Sequence, residues 1–498
     1  MGMPLTRRAA ALGAVLGLAG LATARGTYAQ AQACDLGWVQ PLSDDLNAMA
    51  DMLTKRLQPW TGQDVVALPE DFGFHGEGLA TTAIQAAIDH LAQSGGGTVR
   101  LAQGDYVSGT LDLRSSIRFE VARGARLLGS LDLKDYPERV AKRPTVMDSN
   151  MGMNQSLIFA EGCTDISICG EGEIDGRGAK ANFPGDETSG QTPGRPFVIR
   201  VIDCTRVHIN GISLKDSPCW MQNYLNCEDL LIENIHVDNQ ANFNNDGVDI
   251  DGCRRVIVRN CFISSEDDAL CFKGASQRPM EQVLVENCRL YSSCNGLKFG
   301  TDSQGDFRNV LVRDVETGGP GPEMRSLNRR LADSGISWEC VDGGTVENIL
   351  ATRIHIVRAK SPLFLRLGDR GRVRPEQARP APGNLRRIVY AHVTGSDNGV
   401  RGSYFMGLPD KAIEDVVLRD VDIRMTGSDL SVPDENAIPE MRSDYPDALM
   451  IKDRTPAYGL WARHVKGLNM ERVTFEPSSA DSRPMIRAAP DVVGVCSA

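Results

Sequence analysis

Three short stretches between Asn244 and Gly300 repeat one alternation: Asp246-Gly-Val-Asp-Ile-Asp-Gly, Asp268-Ala-Leu-Cys-Phe-Lys-Gly and Asn295-Gly-Leu-Lys-Phe-Gly-Thr. In each, a polar residue precedes apolar residues at every second place, the period of a strand with one buried face. Val248, Leu270 and Leu297 are therefore expected to form one inward ladder, and Ile250, Phe272 and Phe299 a second. The residues ahead of the strands then stack too, which brings Asp246, Asp268 and Asn295 to one level with Asp267 alongside. Acidic residues gathered at adjacent strand starts repel one another and lose hydration, a cost that points to a functional site.

From Cys163 onward a turn followed by a β-rich triplet recurs. The first apolar residues of these phrases are Ile166, Val207, Leu230, Val256, Val283, Val310, Ile349, Ile388, Val416 and Leu468, at steps of 41, 23, 26, 27, 27, 39, 39, 28 and 52 residues. The shortest steps define a coil of three short strands and their turns, which predicts an all-β chain folded as a right-handed parallel β-helix. The longer steps carry polar, Gly- and Pro-rich insertions at 179–195, 316–334, 369–384 and 425–458, and such loops are expected to line the binding face.

Ahead of the coils the apolar period changes to that of helices. One is predicted over 43–57, capped by Ser43, with Leu46, Met49, Leu53 and Leu57 on one face; a second over 82–93 has Thr82 and Gln85 as a capping box. Strand-like runs follow at 98–101, 106–113, 117–121 and 125–128. No linker interrupts them, so 34–498 reads as one β-helix domain, with 34–130 as cap and first coils.

Composition narrows the partners. A net charge of −11 argues against nucleic acid and anionic membrane surfaces. Residues 1–33 read as an export signal, because Arg7 and Arg8 precede an apolar run too short to span a membrane and then small residues. Thr6-Arg7-Arg8 also fits a twin-arginine signal, so a periplasmic or extracellular location is expected. The 13 cysteines recur at equivalent places in the repeats, as buried thiols do, with at most a few bridges. They form no Cys-x-x-Cys pair and no zinc-spaced cluster with His, so no metal or other cofactor is expected. A monomer acting on a polysaccharide is the expected form.

The chain resembles the polygalacturonase-type glycoside hydrolases of family 28, pectin-cleaving β-helix enzymes. The likeness rests on Asn244-Asn245-Asp246-Gly247 and Glu266-Asp267-Asp268, which match the family's Asn-Thr-Asp and Asp-Asp motifs, and on Gly170-Glu-Gly-Glu-Ile-Asp-Gly, Arg195-Pro and Ser217-Pro-Cys-Trp. It implies Asp267 as the general acid, Asp246 and Asp268 as holders of the attacking water, and inversion as the outcome. Two family motifs are altered: Cys294-Asn295-Gly296 stands for Gly-His-Gly, and Ser337 and Glu339 stand in the strand that carries Arg-Ile-Lys. The lost basic pair is the one associated with the galacturonate carboxylate.

Glycosidic cleavage needs one protonated carboxyl for the leaving oxygen and one carboxylate for water, and crowded carboxyls supply both. Asp267 and Asp268 can both serve a groove only if the backbone turns between them. Asn244, Asp249, Asn295 and Lys298 are expected to bind substrate, with Lys273 neutralising the aspartates. Arg366 opens the one marked basic run, Arg366, Arg370, Arg372 and Arg374, otherwise read as a solvated turn; with Lys298 it is expected to meet the carboxylates of an acidic glycan other than plain polygalacturonate. Two alternatives stand beside the hydrolase: a β-helix lyase using calcium and a Lys298 or Lys273 base, and a glycan-binding protein without turnover.

Overall fold

The computed structural model describes residues 36–60, 62–147, 154–184, 194–327 and 329–497. The export-signal segment, 1–33, lies outside them. The described strands form two parallel sheets, one of 20 strands and one of 12, wound as a right-handed β-helix. All ten apolar positions read from the repeats, Ile166 to Leu468, pair in direct register along one continuous row. The residue before each takes a left-handed backbone, with φ from 53° at Arg387 to 76° at Gly467. That conformation turns the chain into the triplet and favours the Asp, Asn and Gly found at six of these ten places, Asp165, Asp229, Asn309, Asn348, Asp415 and Gly467.

Both inward ladders form as expected: Val248, Leu270 and Leu297 pair in register, as do Ile250, Phe272 and Phe299. All six are fully buried, and Phe299 stacks on Phe307 at 4.3 Å between ring centres. One apolar cluster runs from Ala67 to Val492 through the interior of the coils.

The helices differ from expectation at their starts. The first, α1, spans Val39–Arg56 and is entered from Trp38, so Ser43 lies inside it and does not cap. Its buried face, Val39, Leu46, Ala50 and Leu53, packs in one cluster with Leu231, Ile257, Leu284 and Leu311, an outward row of the larger sheet. Burial of Val39 extends the helix one turn beyond the cap signal. The second, α2, spans Thr81–Gln93, and its capping box is absent. Gln85 instead exchanges hydrogen bonds with the backbone of Asp112, at 2.9 and 3.0 Å, which ties the helix to the first coils.

Among the described residues eleven cysteines stand outside any disulfide, ten of them buried, and Cys496 is in a disulfide. No helix among the described residues is long and apolar enough to cross a membrane.

Candidate active site

The 12-stranded sheet places the carboxyls. Its strands Val248–Asp251, Leu270–Gly274 and Asn295–Ser303 are neighbours, so the segments leading into them converge. Gly247 N–H donates to the Asp268 carbonyl (2.8 Å), and Ala269 N–H to the Asn295 carbonyl (2.9 Å). The backbone bends at Glu266 and Asp267, where the hydroxyls of Ser265 and Ser292 donate to the Asp267 carbonyl at 2.7 and 2.5 Å. This is the turn that two consecutive aspartates need if both are to face one groove. Asp246, Asp267 and Asp268 then line one cavity of about 460 Å³, together with Asn244, Asn295 and Lys298. Insertion 425–458 contributes Tyr445, Pro446 and Asp447 to its wall, and insertion 369–384 contributes Arg372.

Asp267 is half-buried, whereas Asp246 and Asp268 are each 3% exposed. Asn244 donates to Asp267 Oδ2 at 3.4 Å and is itself held by the Arg195 guanidinium at 3.0 Å, which lies over the Phe243 ring. Asn295 donates to Asp268 Oδ1 (2.7 Å) and accepts from the Ser334 hydroxyl (2.6 Å). Its partners differ from those of the structural asparagine row Asn210, Asn234, Asn260 and Asn287, whose side chains bond one another at the turns. Lys298 Nζ lies 3.0 Å from Asp268 Oδ2. Lys273 Nζ lies 3.1 Å from Asp249 and 4.0 Å from Asp246, over the Trp220 ring.

Four carboxyls thus surround two buried ammonium groups, and the cluster must hold protons as well as charge. Burial, then repulsion from Asp268, raises Asp267. Burial and the charges of Asp249 and Asp267 push Asp246 well above the usual carboxylate range. Burial brings Asp249 to about 7 against the pull of Lys273. Asp268 goes the other way: burial opposes its charge, but Lys298 and Lys273 hold it below its ordinary value. Burial also opposes the charge of both lysines, and the surrounding acidic groups keep them protonated.

Two expected residues sit elsewhere. Asp249 points to the groove side but is fully buried beneath Lys273 and does not line the cavity. Arg366 is 1% exposed and spends its guanidinium on the carbonyls of Gly407, Glu440 and Met441, at 2.7 to 3.2 Å; no substrate carboxylate can reach it there. The basic run is not a solvated turn either. Arg370 bonds Asp342 at 2.6 Å, and Arg372 bonds Asp302 at 3.2 Å. Sequence reasoning left out Tyr445 and Asp447 and read Arg372 only within the basic run, although the insertions carrying them are marked by their length. Asp267, Asp268 and Cys294 place possible ligand atoms within 4.8 Å of one another. A larger cavity, about 630 Å³, lies beside the end of α1, where Arg56 pairs with Asp229 and Arg206 with Asp165; the carboxyl cluster does not reach it.

A parallel β-helix with a carboxyl-lined groove between its loops is the class of protein that fold and site define. Residues 106–319 match the family model for Glycosyl hydrolases family 28, and the segment belongs to that family. A probable polygalacturonase of Vitis vinifera is 30% identical over 215 residues, covering 41% of this chain and 43% of that protein. A probable exopolygalacturonase B of Aspergillus terreus is 26% identical over 281 residues, covering 53% of this chain and 62% of that protein. The chain therefore matches about half the length of these relatives. In fold it is similar to an exopolygalacturonase from Thermotoga maritima, with a TM-score of 0.67 at 17% identity over 86% of this chain and 96% of that one.

Proposed function

We propose that the protein is a glycoside hydrolase that cleaves pectin-type polysaccharide by acid and base catalysis with inversion. The observation that carries this reading is the split within one cavity between a half-buried Asp267, raised by burial and Asp268, and an Asp268 kept ionised by Lys298. Asp267, the accessible member, gives its proton to the leaving oxygen. Asp268, oriented by Asn295 and Lys298, draws the proton from water, and Asp246 completes the water site. The polygalacturonase relatives support a pectic substrate. The lyase alternative needs a neutral lysine base, and both candidate lysines sit protonated against carboxylates. In this reading 34–498 acts as one catalytic domain, a monomer exported by the segment at 1–33, and needs no metal.

Asp267→Asn keeps the shape of the side chain and removes the proton. General acid catalysis contributes ~10²–10⁴-fold, so turnover of a pectic glycan, followed by new reducing ends, is expected to fall below a hundredth of wild type while the circular dichroism spectrum stays unchanged. A variant keeping more than a tenth of wild-type activity would sink the assignment. Products absorbing in the ultraviolet, formed only with calcium, would instead establish elimination.

A further inference from the structure

We propose that the sugar unit seated over Asp267 and Asp268 is uncharged, so that this enzyme cleaves beside a neutral glycosyl residue and discriminates against a uronate there. The inference rests on the hydrolase reading and narrows its substrate. It starts from the cations that face the cavity, which among the described residues are Lys273, Lys298 and Arg372. Each is already matched: Lys273 to Asp249 at 3.1 Å, Lys298 to Asp268 at 3.0 Å and Arg372 to Asp302 at 3.2 Å. Arg370 brings no surplus charge, because it binds Asp342 at 2.6 Å and shares Asp302 at 3.3 Å. The segments 148–153 and 185–193 contain no Lys or Arg at all.

Against these three cations the cavity wall carries five carboxyls: Asp246, Asp267, Asp268, Asp302 and Asp447. Glu339 adds a sixth beneath Lys298. It stands 1% exposed, with Oε1 accepting from Ser337 (2.6 Å) and Oε2 buried without a hydrogen-bond partner. Asp447 is fixed in place, since its Oδ1 accepts from the Leu449 N–H at 2.7 Å. A neutral sugar meets no repulsion from the ionised members of this wall, Asp268 among them: its hydroxyls donate to their oxygens, and Tyr445, 58% exposed at the wall, adds an aromatic contact for its C–H bonds. A uronate would bring a further negative charge into a wall with no unmatched cation, which at an effective dielectric near ~40 and separations of ~6 Å corresponds to about tenfold in affinity.

The test uses two probes that differ only at C6, a galacturonate oligomer and its carboxyl-reduced counterpart, titrated calorimetrically into the full-length Asp267→Asn protein so that neither is consumed. The reduced oligomer is expected to bind about tenfold tighter at low salt. The gap should shrink in ~1 M salt, where the screening length falls to ~3 Å, and in an Asp447→Asn background, where the amide oxygen can still hold Leu449. Equal or tighter binding of the acidic oligomer overturns the proposal, as does a gap unmoved by both salt and Asp447→Asn, or binding of neither probe. Failure of the hydrolase reading looks different: the reduced oligomer still binds preferentially, yet the wild-type protein generates no reducing ends from it.

Discussion

The two sheets carry outward-facing rows built on the same backbone pattern, and they bury opposite chemistry. On the larger sheet the row Leu231, Ile257, Leu284, Leu311 is apolar and is covered by the apolar face of α1. On the smaller sheet the corresponding row is Asp249, Cys271, Lys298, Ser337, buried beneath loops and ion pairs. An apolar row needs only a matching apolar lid, and many lids would serve. A charged row needs each group answered at a fixed distance, because an unanswered buried charge costs several kcal/mol. The first face tolerates substitution; the second specifies its partners one by one.

The sharpest way to break the charged face is Lys298→Met, which fills the same space and removes the partner of Asp268. Loss of one member of a buried pair typically costs ~3–5 kcal/mol, so the variant should show that drop in urea unfolding and lose turnover as well. The exposed pair Arg206–Asp165, on the other face, provides the control, since replacing Arg206 by Met should cost less than ~1 kcal/mol. Equal losses at the two sites would mean that burial does not set the difference.

On the apolar face, Leu53 of α1 is fully buried. Leu53→Ala removes three carbons from a packed interface, and such changes cost ~2–4 kcal/mol. Activity below the unfolding transition should be unchanged, because α1 covers the sheet away from the carboxyls. A loss of turnover with little loss of stability would show that the two faces are coupled.

The β-helix was legible because its signals are local and repeated. A left-handed turn residue followed by an apolar triplet announces each coil, and the ten positions then align in one row without exception. The carboxyl cluster was legible for the same reason, since strand register carries Asp246, Asp268 and Asn295 to one level. What the sequence could not show was where long side chains and loops end up. Arg366 and Glu339 are register neighbours, so they read as groove residues, yet Arg366 is drawn to backbone carbonyls of the insertion folded over it. Tyr445 and Asp447 arrive from a loop with no periodicity, and only its length marked it. The start of α1 was misplaced because Ser43 fits the cap pattern, whereas burial of Val39 against the sheet decides the boundary.

The smallest expected effect tests the charge balance through pH. Burial raises Glu339 from its ordinary 4.5 to about 7, with Lys298 and the Ser337 hydroxyl pulling in the opposite direction. A carboxyl raised in the folded state binds its proton more tightly there than in the unfolded chain. Its contribution to stability is therefore complete below about 4.5 and is lost as pH rises through 7. Asp249 and Asp251, each raised to about 7 by burial, act in the same direction, while Asp268, lowered by its lysines, contributes stability above its ordinary value and loses it only in stronger acid. Wild-type stability should then decline between pH 5 and 8. Glu339→Gln keeps the bond from Ser337 and abolishes one titration, so the decline should become shallower by roughly 2.5 kcal/mol, because the slope of 1.36 kcal/mol per pH unit applies across most of the interval from pH 5 to about 7. Urea unfolding of both proteins at pH 5, 6.5 and 8 measures it. Parallel curves would show that Glu339 stays ionised beside Lys298, and Lys298 would then answer two full charges in place of one.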